Sequence, residues 1–106
     1  MKEEFLFIKA KNKLHKINPI DILYIEAMDD YVNINLKNNT LKARMTMKLL
    51  LHKLDSDQFI RVHRSFIVPV KSIEAVGTKN IVVNGTEIAL GKNYSEEVLK
   101  VFKKEA

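Results

Sequence analysis

The sequence predicts a mostly β domain of antiparallel strands with one short internal helix and one short C-terminal helix. Apolar and polar residues alternate along most of the chain, as in half-buried strands, and two segments instead show helical spacing. The 106 residues, of which 46% are hydrophobic and 29% charged, suit one domain with one core. We therefore interpret residues 1–106 as a single domain.

Five strands are predicted in the first half of the chain. The runs EFLFIKA and KLHKI flank a turn at 11–13, and Asn18-Pro19 ends the second run. The runs DILYIEA and YVNINLK follow, separated by a polar turn that contains Asp29-Asp30. A turn at Asn38-Asn39 leads into the run TLKAR. The alternation in YVNINLK is typical of a half-buried strand.

The second half of the chain contains further predicted strands. The run FIRVHRSFIV has the pattern of a strand until its middle, and SIEAV, NIVV and TEIAL repeat that pattern. Asn84-Gly85, between the last two runs, is the strongest hairpin signal in the sequence.

Two segments have helical spacing. Thr46 is a predicted N-cap for a helix over MKLLLHKL, and 55–57 ends it. The apolar residues that fall on one face of this helix are Met47, Leu50, Leu51 and Leu54. Ser95 is a predicted N-cap for a C-terminal helix. Its acidic first turn and basic last turns complement the helix dipole. Its predicted buried stripe consists of Tyr94, Val98, Val101 and Phe102.

Polar residues interrupt this pattern at two places. An unbroken strand over FIRVHRSFIV would place the Arg64 guanidinium on a face of aliphatic side chains. Either Arg64 has a buried anionic partner, or the chain turns at 63–65 and directs these side chains outward. Gly91-Lys92-Asn93 forms a second irregular joint, before the last helix. Loops on a rigid scaffold are common binding sites.

Several classes of function are disfavoured by residue content. The chain has no cysteine, its three histidines lack metal-ligand spacing, and its three glycines cannot build a phosphate-binding loop. We expect no metal, no cofactor and no enzymatic activity. No apolar run approaches the roughly 18 residues that span a bilayer, and no secretory signal is evident. We expect a cytoplasmic protein without a membrane partner.

The charge favours a polyanionic partner. The net charge is +5 and the pI about 9.5, and the stretch 42–53 carries four Lys or Arg and no acid. Such a balance supports nucleic-acid binding without requiring it. Two alternatives remain open: a protein-interaction module that pairs through its sheet edges, and an RNA-binding domain.

The order of motifs resembles the LytTR DNA-binding domain of bacterial response regulators over nearly the whole chain. These motifs are ILYIEAMDDYVNI, a Leu-rich helix, FIRVHRSFIV, SIEAV, NG and GKNYSEEVLKVF. The resemblance implies an elongated arrangement of small antiparallel sheets. It also implies sequence-specific binding of double-stranded DNA at paired direct repeats, with loops in successive major grooves. The family's usual receiver domain and a homodimer on DNA are further expectations.

The resemblance and the charge pattern together nominate the site residues. The resemblance implies three contacting loops, at 63–65, 91–93 and 29–31. We expect their base contacts from Arg64, Lys92, Asn93, Tyr31 and Asp30. We expect backbone contacts or loop support from the neighbouring polar and basic residues, namely Ser65, His63, Arg61, Lys42, Arg44 and Lys48. Both a structural role and a direct DNA contact remain open for His63.

Two positions depart from the family's pattern. Gly91-Lys92 stands where the family often has Ser-Arg, so a flexible point charge replaces a planar fork that can bind guanine at two atoms. Pro69 stands where the family usually has asparagine, which removes a backbone donor. We expect weaker base discrimination at Lys92 and altered support of the HRS loop.

Overall fold

The computed structural model describes residues 5–105 and begins with a two-stranded antiparallel sheet. Its strands are β1 (Leu6–Ala10) and β2 (Lys13–Ile17). Lys11 and Asn12 connect them with φ of 53° and 63°. Positive φ at both residues of a two-residue turn matches the twist of the strands, which confirms the predicted hairpin.

A five-stranded antiparallel sheet lies at the centre of the fold, with the strand order β5-β4-β3-β7-β6. Its strands are β3 (Ile22–Met28), β4 (Tyr31–Leu36), β5 (Thr40–Ala43), β6 (Phe59–His63) and β7 (Phe66–Pro69). The strand β3 pairs with both β4 and β7. The strands β6 and β7 also pair antiparallel with each other, so the predicted run FIRVHRSFIV is a hairpin of two strands.

A three-stranded antiparallel sheet completes the β structure. Its strands are β8 (Ile73–Val76), β9 (Asn80–Val83) and β10 (Thr86–Ala89). Asn84-Gly85 joins β9 to β10 with φ of 50° and 77°, as its sequence predicts. Two short 3-10 helices, Pro19–Asp21 and Val70–Ser72, precede β3 and β8 and were not predicted.

Two α-helices are present in the described residues, as predicted. The helix α1 spans Met47–Lys53, and the Thr46 hydroxyl accepts a hydrogen bond from the Leu49 amide at 3.1 Å, which confirms the cap. The helix α2 spans Ser95–Glu105. None of the described helices is long and apolar enough to cross a bilayer.

The predicted cap at Ser95 is wrong. Ser95 is the first residue of α2, and its hydroxyl donates to the Lys92 carbonyl at 3.2 Å. The Tyr94 carbonyl accepts the amide of Val98 at 3.0 Å, so the helical hydrogen bonds begin one residue earlier. A capping side chain instead accepts an amide from the first turn.

The buried side chains form two clusters, one on each face of the central sheet, where the sequence predicted one core. Ile67 and Val68 are adjacent in β7 and both are fully buried, but Ile67 joins the first cluster and Val68 the second. The first cluster contains residues of β1, β2 and α1, and the second contains residues of the three-stranded sheet and α2. Successive side chains of a strand point to opposite faces, so the central sheet is covered on both.

Ile25→Ala is expected to lower the free energy of unfolding by about 2–5 kcal/mol. Ile25 is fully buried in β3, so truncation leaves a cavity in the first cluster. Ile20→Ala is the matched control, because Ile20 is 72% exposed, and its effect should stay within about 0.5 kcal/mol. Urea denaturation measures both values, and equal losses would contradict this assignment of the core.

Candidate nucleic-acid interface

Arg64 lies on the two-residue turn between β6 and β7. The register pairs His63 with Phe66, which leaves Arg64-Ser65 as the connection. Arg64 is exposed, and Ile60, Val62, Phe66 and Val68 all pack in or against the second cluster. The chain therefore turns and directs the guanidinium outward, so the alternative of a buried ion pair is excluded.

The backbone of this turn is held by neighbouring groups. Nδ1 of His63 accepts the Ser65 amide at 3.0 Å. Nε of Arg61 donates to the His63 carbonyl at 3.4 Å, and Nη2 of Arg61 donates to the Arg64 carbonyl. The Ser65 carbonyl accepts the amide of Ala27 in β3 at 2.8 Å. His63 and Arg61 thus support the loop that presents Arg64.

A β-bulge connects the second candidate loop to this hairpin. The register between β6 and β7 shifts between Arg61 and His63, so Val62 has no partner in β7. The Val62 carbonyl accepts the Gly91 amide at 2.8 Å. Lys92 and Asn93 follow directly and are both exposed, on the turn that leads into α2. The two cationic loops therefore start beside each other on the scaffold.

Little space is available for a side chain at Gly91. A Cβ built there would lie 2.8 Å from Cδ2 of Tyr94 and 3.4 Å from the Cα of His63. The first distance is shorter than van der Waals contact, so a serine at this position would force the Tyr94 ring to move. The departure at Gly91-Lys92 therefore allows close packing of the loop on β6. Pro69, the other departure, lies at the end of β7 opposite the turn.

The third candidate loop surrounds Tyr31. Asp29-Asp30 connects β3 to β4, and Tyr31, 36% exposed, begins β4. Lys42 Nζ lies 4.5 Å and Arg44 Cζ 5.9 Å from the centroid of the Tyr31 ring, within the range of cation–π attraction. Arg44 Nη2 also lies 3.6 Å from Asp30 Oδ2, where both side chains are more than 70% exposed. Such an exposed pair contributes at most about 1 kcal/mol.

One open groove of about 820 Å³ brings most of the candidate residues together. Seven of them line it, namely Asp30, Tyr31, Arg44, Lys48, Arg61, Arg64 and Ser65. Lys42 adjoins the groove through its contact with Tyr31. His63 does not line the groove but accepts the Ser65 amide of the turn. Lys92 and Asn93 also lie outside the lining, on the loop bonded to Val62.

The start of α1 forms a wall of the groove that the sequence interpretation did not include. Met45, Thr46 and Met47 line it between the basic residues Arg44 and Lys48. Their position between two candidate cations was the available signal. The lining contains four cationic side chains and two carboxylates, so its net charge is positive. Within residues 5–105, no three His, Cys, Asp or Glu side chains converge closely enough to hold a metal ion.

Two relatives of this chain are named as sensory transduction proteins. The chain is 30% identical over 87 residues to the sensory transduction protein LytT of Bacillus subtilis, covering 76% of this chain and 36% of that protein. It is 28% identical over 104 residues to the protein of the same name from Bacillus cereus, covering 92% of this chain and 42% of that protein. The chain thus spans about two fifths of the length of these relatives.

A solved structure has the same fold. The LytTr DNA-binding domain of a Bacillus cereus response regulator superposes with a TM-score of 0.76. The match covers 95% of this chain and 97% of that one, at 24% sequence identity. It confirms the prediction of small antiparallel sheets with two helices.

The model of one protein family matches most of the chain. That family is the LytTr DNA-binding domain, and the match runs over residues 12–103. This range contains all three candidate loops and both helices except the last residues of α2. The resemblance carried by the sequence motifs is confirmed, and the chain belongs to the LytTr DNA-binding domain family.

Proposed function

We propose that this chain binds double-stranded DNA sequence-specifically and regulates transcription as the output domain of a two-component response regulator. The observation that carries the proposal is the groove, where seven candidate residues converge around an exposed Arg64. The chain belongs to a family of DNA-binding domains, and its relatives are named as sensory transduction proteins. No catalytic role is proposed for any of these residues.

Arg64 is the principal base-reading residue in this proposal. A guanidinium on an exposed turn can donate two parallel hydrogen bonds to O6 and N7 of guanine in the major groove. Each such pair contributes about 1–3 kcal/mol of discrimination against other bases. Ser65 lies beside Arg64 in the same turn and lines the same groove.

Lys92 and Asn93 contact the adjacent major groove. An asparagine amide matches N6 and N7 of adenine, and a lysine ammonium matches the acceptors of guanine. The hydrogen bond between Gly91 and Val62 supports this assignment, because it fixes the start of the second loop relative to the first.

Tyr31 and Asp30 form the third contact. A carboxylate repels phosphate but accepts a hydrogen bond from the amino group of cytosine. The ion pair with Arg44 offsets the charge of Asp30, which supports its approach to DNA. Tyr31 is held beside the groove by Lys42 and Arg44.

Exposed cations around the groove bind phosphates. Lys42, Arg44 and Lys48 are all exposed and lie at or next to the groove wall. Such contacts fix the register of a protein on the duplex without reading its sequence. Arg44 has further guanidinium donors beyond the one that faces Asp30, so it can bind a phosphate while it keeps that pair.

The relatives supply the proposed context. They are more than twice as long as this chain, and their names describe sensory transduction. In that context a receiver domain accompanies this domain, and two copies occupy paired direct repeats in a cytoplasmic promoter complex. The basic groove favours DNA over a partner strand at a sheet edge.

Selection of duplexes from a random-sequence library by the purified chain tests the function. We expect enrichment of a motif, bound in preference to a shuffled duplex of the same composition. Structured RNA is the competitor that separates the RNA-binding alternative. An absence of enrichment would contradict the proposal. So would displacement of the bound duplex by a lower concentration of structured RNA than of competing DNA duplex.

Arg64→Ala is expected to reduce discrimination between the enriched and shuffled duplexes by about 5- to 150-fold, because the bidentate base contact is lost. Binding to the shuffled duplex should persist, since phosphate contacts remain. Fluorescence anisotropy measures both dissociation constants. Lys13→Ala removes an exposed cation outside the groove as the control. Full discrimination by the Arg64 variant would refute its base-reading role.

The affinity is expected to fall with salt, with a log–log slope of about −0.9 for each neutralised phosphate. Lys48→Ala should make this slope shallower by about 0.9 and weaken both duplexes equally, because Lys48 would contact one phosphate without reading a base. Titrations at several salt concentrations measure the slope. A slope near zero for the wild-type chain would favour a protein partner.

A further inference from the structure

The Arg64-Ser65 turn lacks the backbone geometry of the two-residue turns at Lys11-Asn12 and Asn84-Gly85. The turns Lys11-Asn12 and Asn84-Gly85 have positive φ at both residues. Arg64 and Ser65 do not adopt positive φ. Two-residue turns of that kind fit the twist of the flanking strands poorly. Interactions outside the turn must therefore fix its conformation.

The side chain of Arg61 provides such interactions from within β6. Its Nε and Nη2 donate to two successive carbonyls, those of His63 and Arg64. The guanidinium is planar and holds its donors at fixed spacing, so the two bonds orient the backbone segment between those two carbonyls. That segment contains the Cα of Arg64.

The surroundings of Arg61 differ from those of the phosphate-binding candidates. Arg61 is half-buried in the groove wall, whereas Arg44 and Lys48 are exposed. Two of its donors are already bonded to the backbone. Binding a phosphate through the same Nε and Nη2 edge of the guanidinium would break these two bonds, so bidentate phosphate binding at that edge competes with support of the turn.

We propose that Arg61 is a positioning residue, which fixes the direction of Arg64 by holding the carbonyls of His63 and Arg64, and that it does not bind phosphate. This inference deepens the proposed function and rests on it, because the direction of Arg64 matters when Arg64 reads a base. Lysine keeps the charge but has no planar fork, so it cannot hold both carbonyls in the same geometry.

Arg61→Lys separates positioning from phosphate binding. The probes are the duplex enriched by the wild-type chain and a shuffled duplex of the same composition. We expect discrimination to fall by about tenfold or more, while affinity for the shuffled duplex and the salt slope stay near the wild-type values. Lys13→Arg is the matched control at an exposed position outside the groove.

A phosphate ligand would give the opposite pattern. Lysine would substitute for arginine as a point charge with little loss of discrimination, and Arg61→Ala would make the salt slope shallower by about 0.9. Either result would overturn the proposal. Urea denaturation of each variant confirms that the fold is retained.

Hydrogen exchange in the absence of DNA tests the turn directly. The amides of Ser65 and Ala27 are bonded within and to the turn, and Arg61→Lys should speed their exchange by about tenfold or more. The amide of Ile34, in β4, should keep its wild-type rate. Unchanged exchange at Ser65 would overturn the positioning role. If the wild-type chain fails to discriminate duplexes, the proposed function fails, and exchange still tests the turn.

Discussion

One extra residue in β6, Val62, sets the position of the Lys92-Asn93 loop relative to the Arg64-Ser65 turn. Its side chain is fully buried in the second cluster, while its carbonyl accepts the Gly91 amide. The Ser65 carbonyl, on the other side of the turn, accepts the amide of Ala27. Backbone hydrogen bonds therefore connect both neighbouring segments to a single hairpin. A bulge of this kind redirects a strand next to a functional surface without loosening its burial.

The strands and turns could be predicted because their signals are local. Alternation of side chains identifies the strands, and Asn84-Gly85 identifies a turn that needs positive φ. The two clusters could not be predicted in the same way. Adjacent apolar residues such as Ile67 and Val68 indicate burial on both faces, but they do not identify the elements that cover each face. That pairing depends on contacts between distant segments.

The residues that form the candidate site could be predicted more completely than the contacts between them. Interruption of an apolar pattern marks Arg64 and Lys92 as outward-facing, because a buried cation is costly. The contacts of Arg61 with two carbonyls depend on the direction of the peptides in the turn, which periodicity does not specify. Ser95 shows the same limit, since its hydroxyl donates to the Lys92 carbonyl and does not cap the helix that Ser95 begins.

The separation of the exposed loops from the two clusters affects how the sequence of this domain can evolve. Arg64 and Lys92 are exposed, and neither side chain belongs to a cluster. Under the proposed function, replacing these residues would alter the preferred operator with little effect on folding. Retargeting to a new regulon would then require only a few codon changes, and Arg61 and Gly91 would constrain which loop shapes remain accessible.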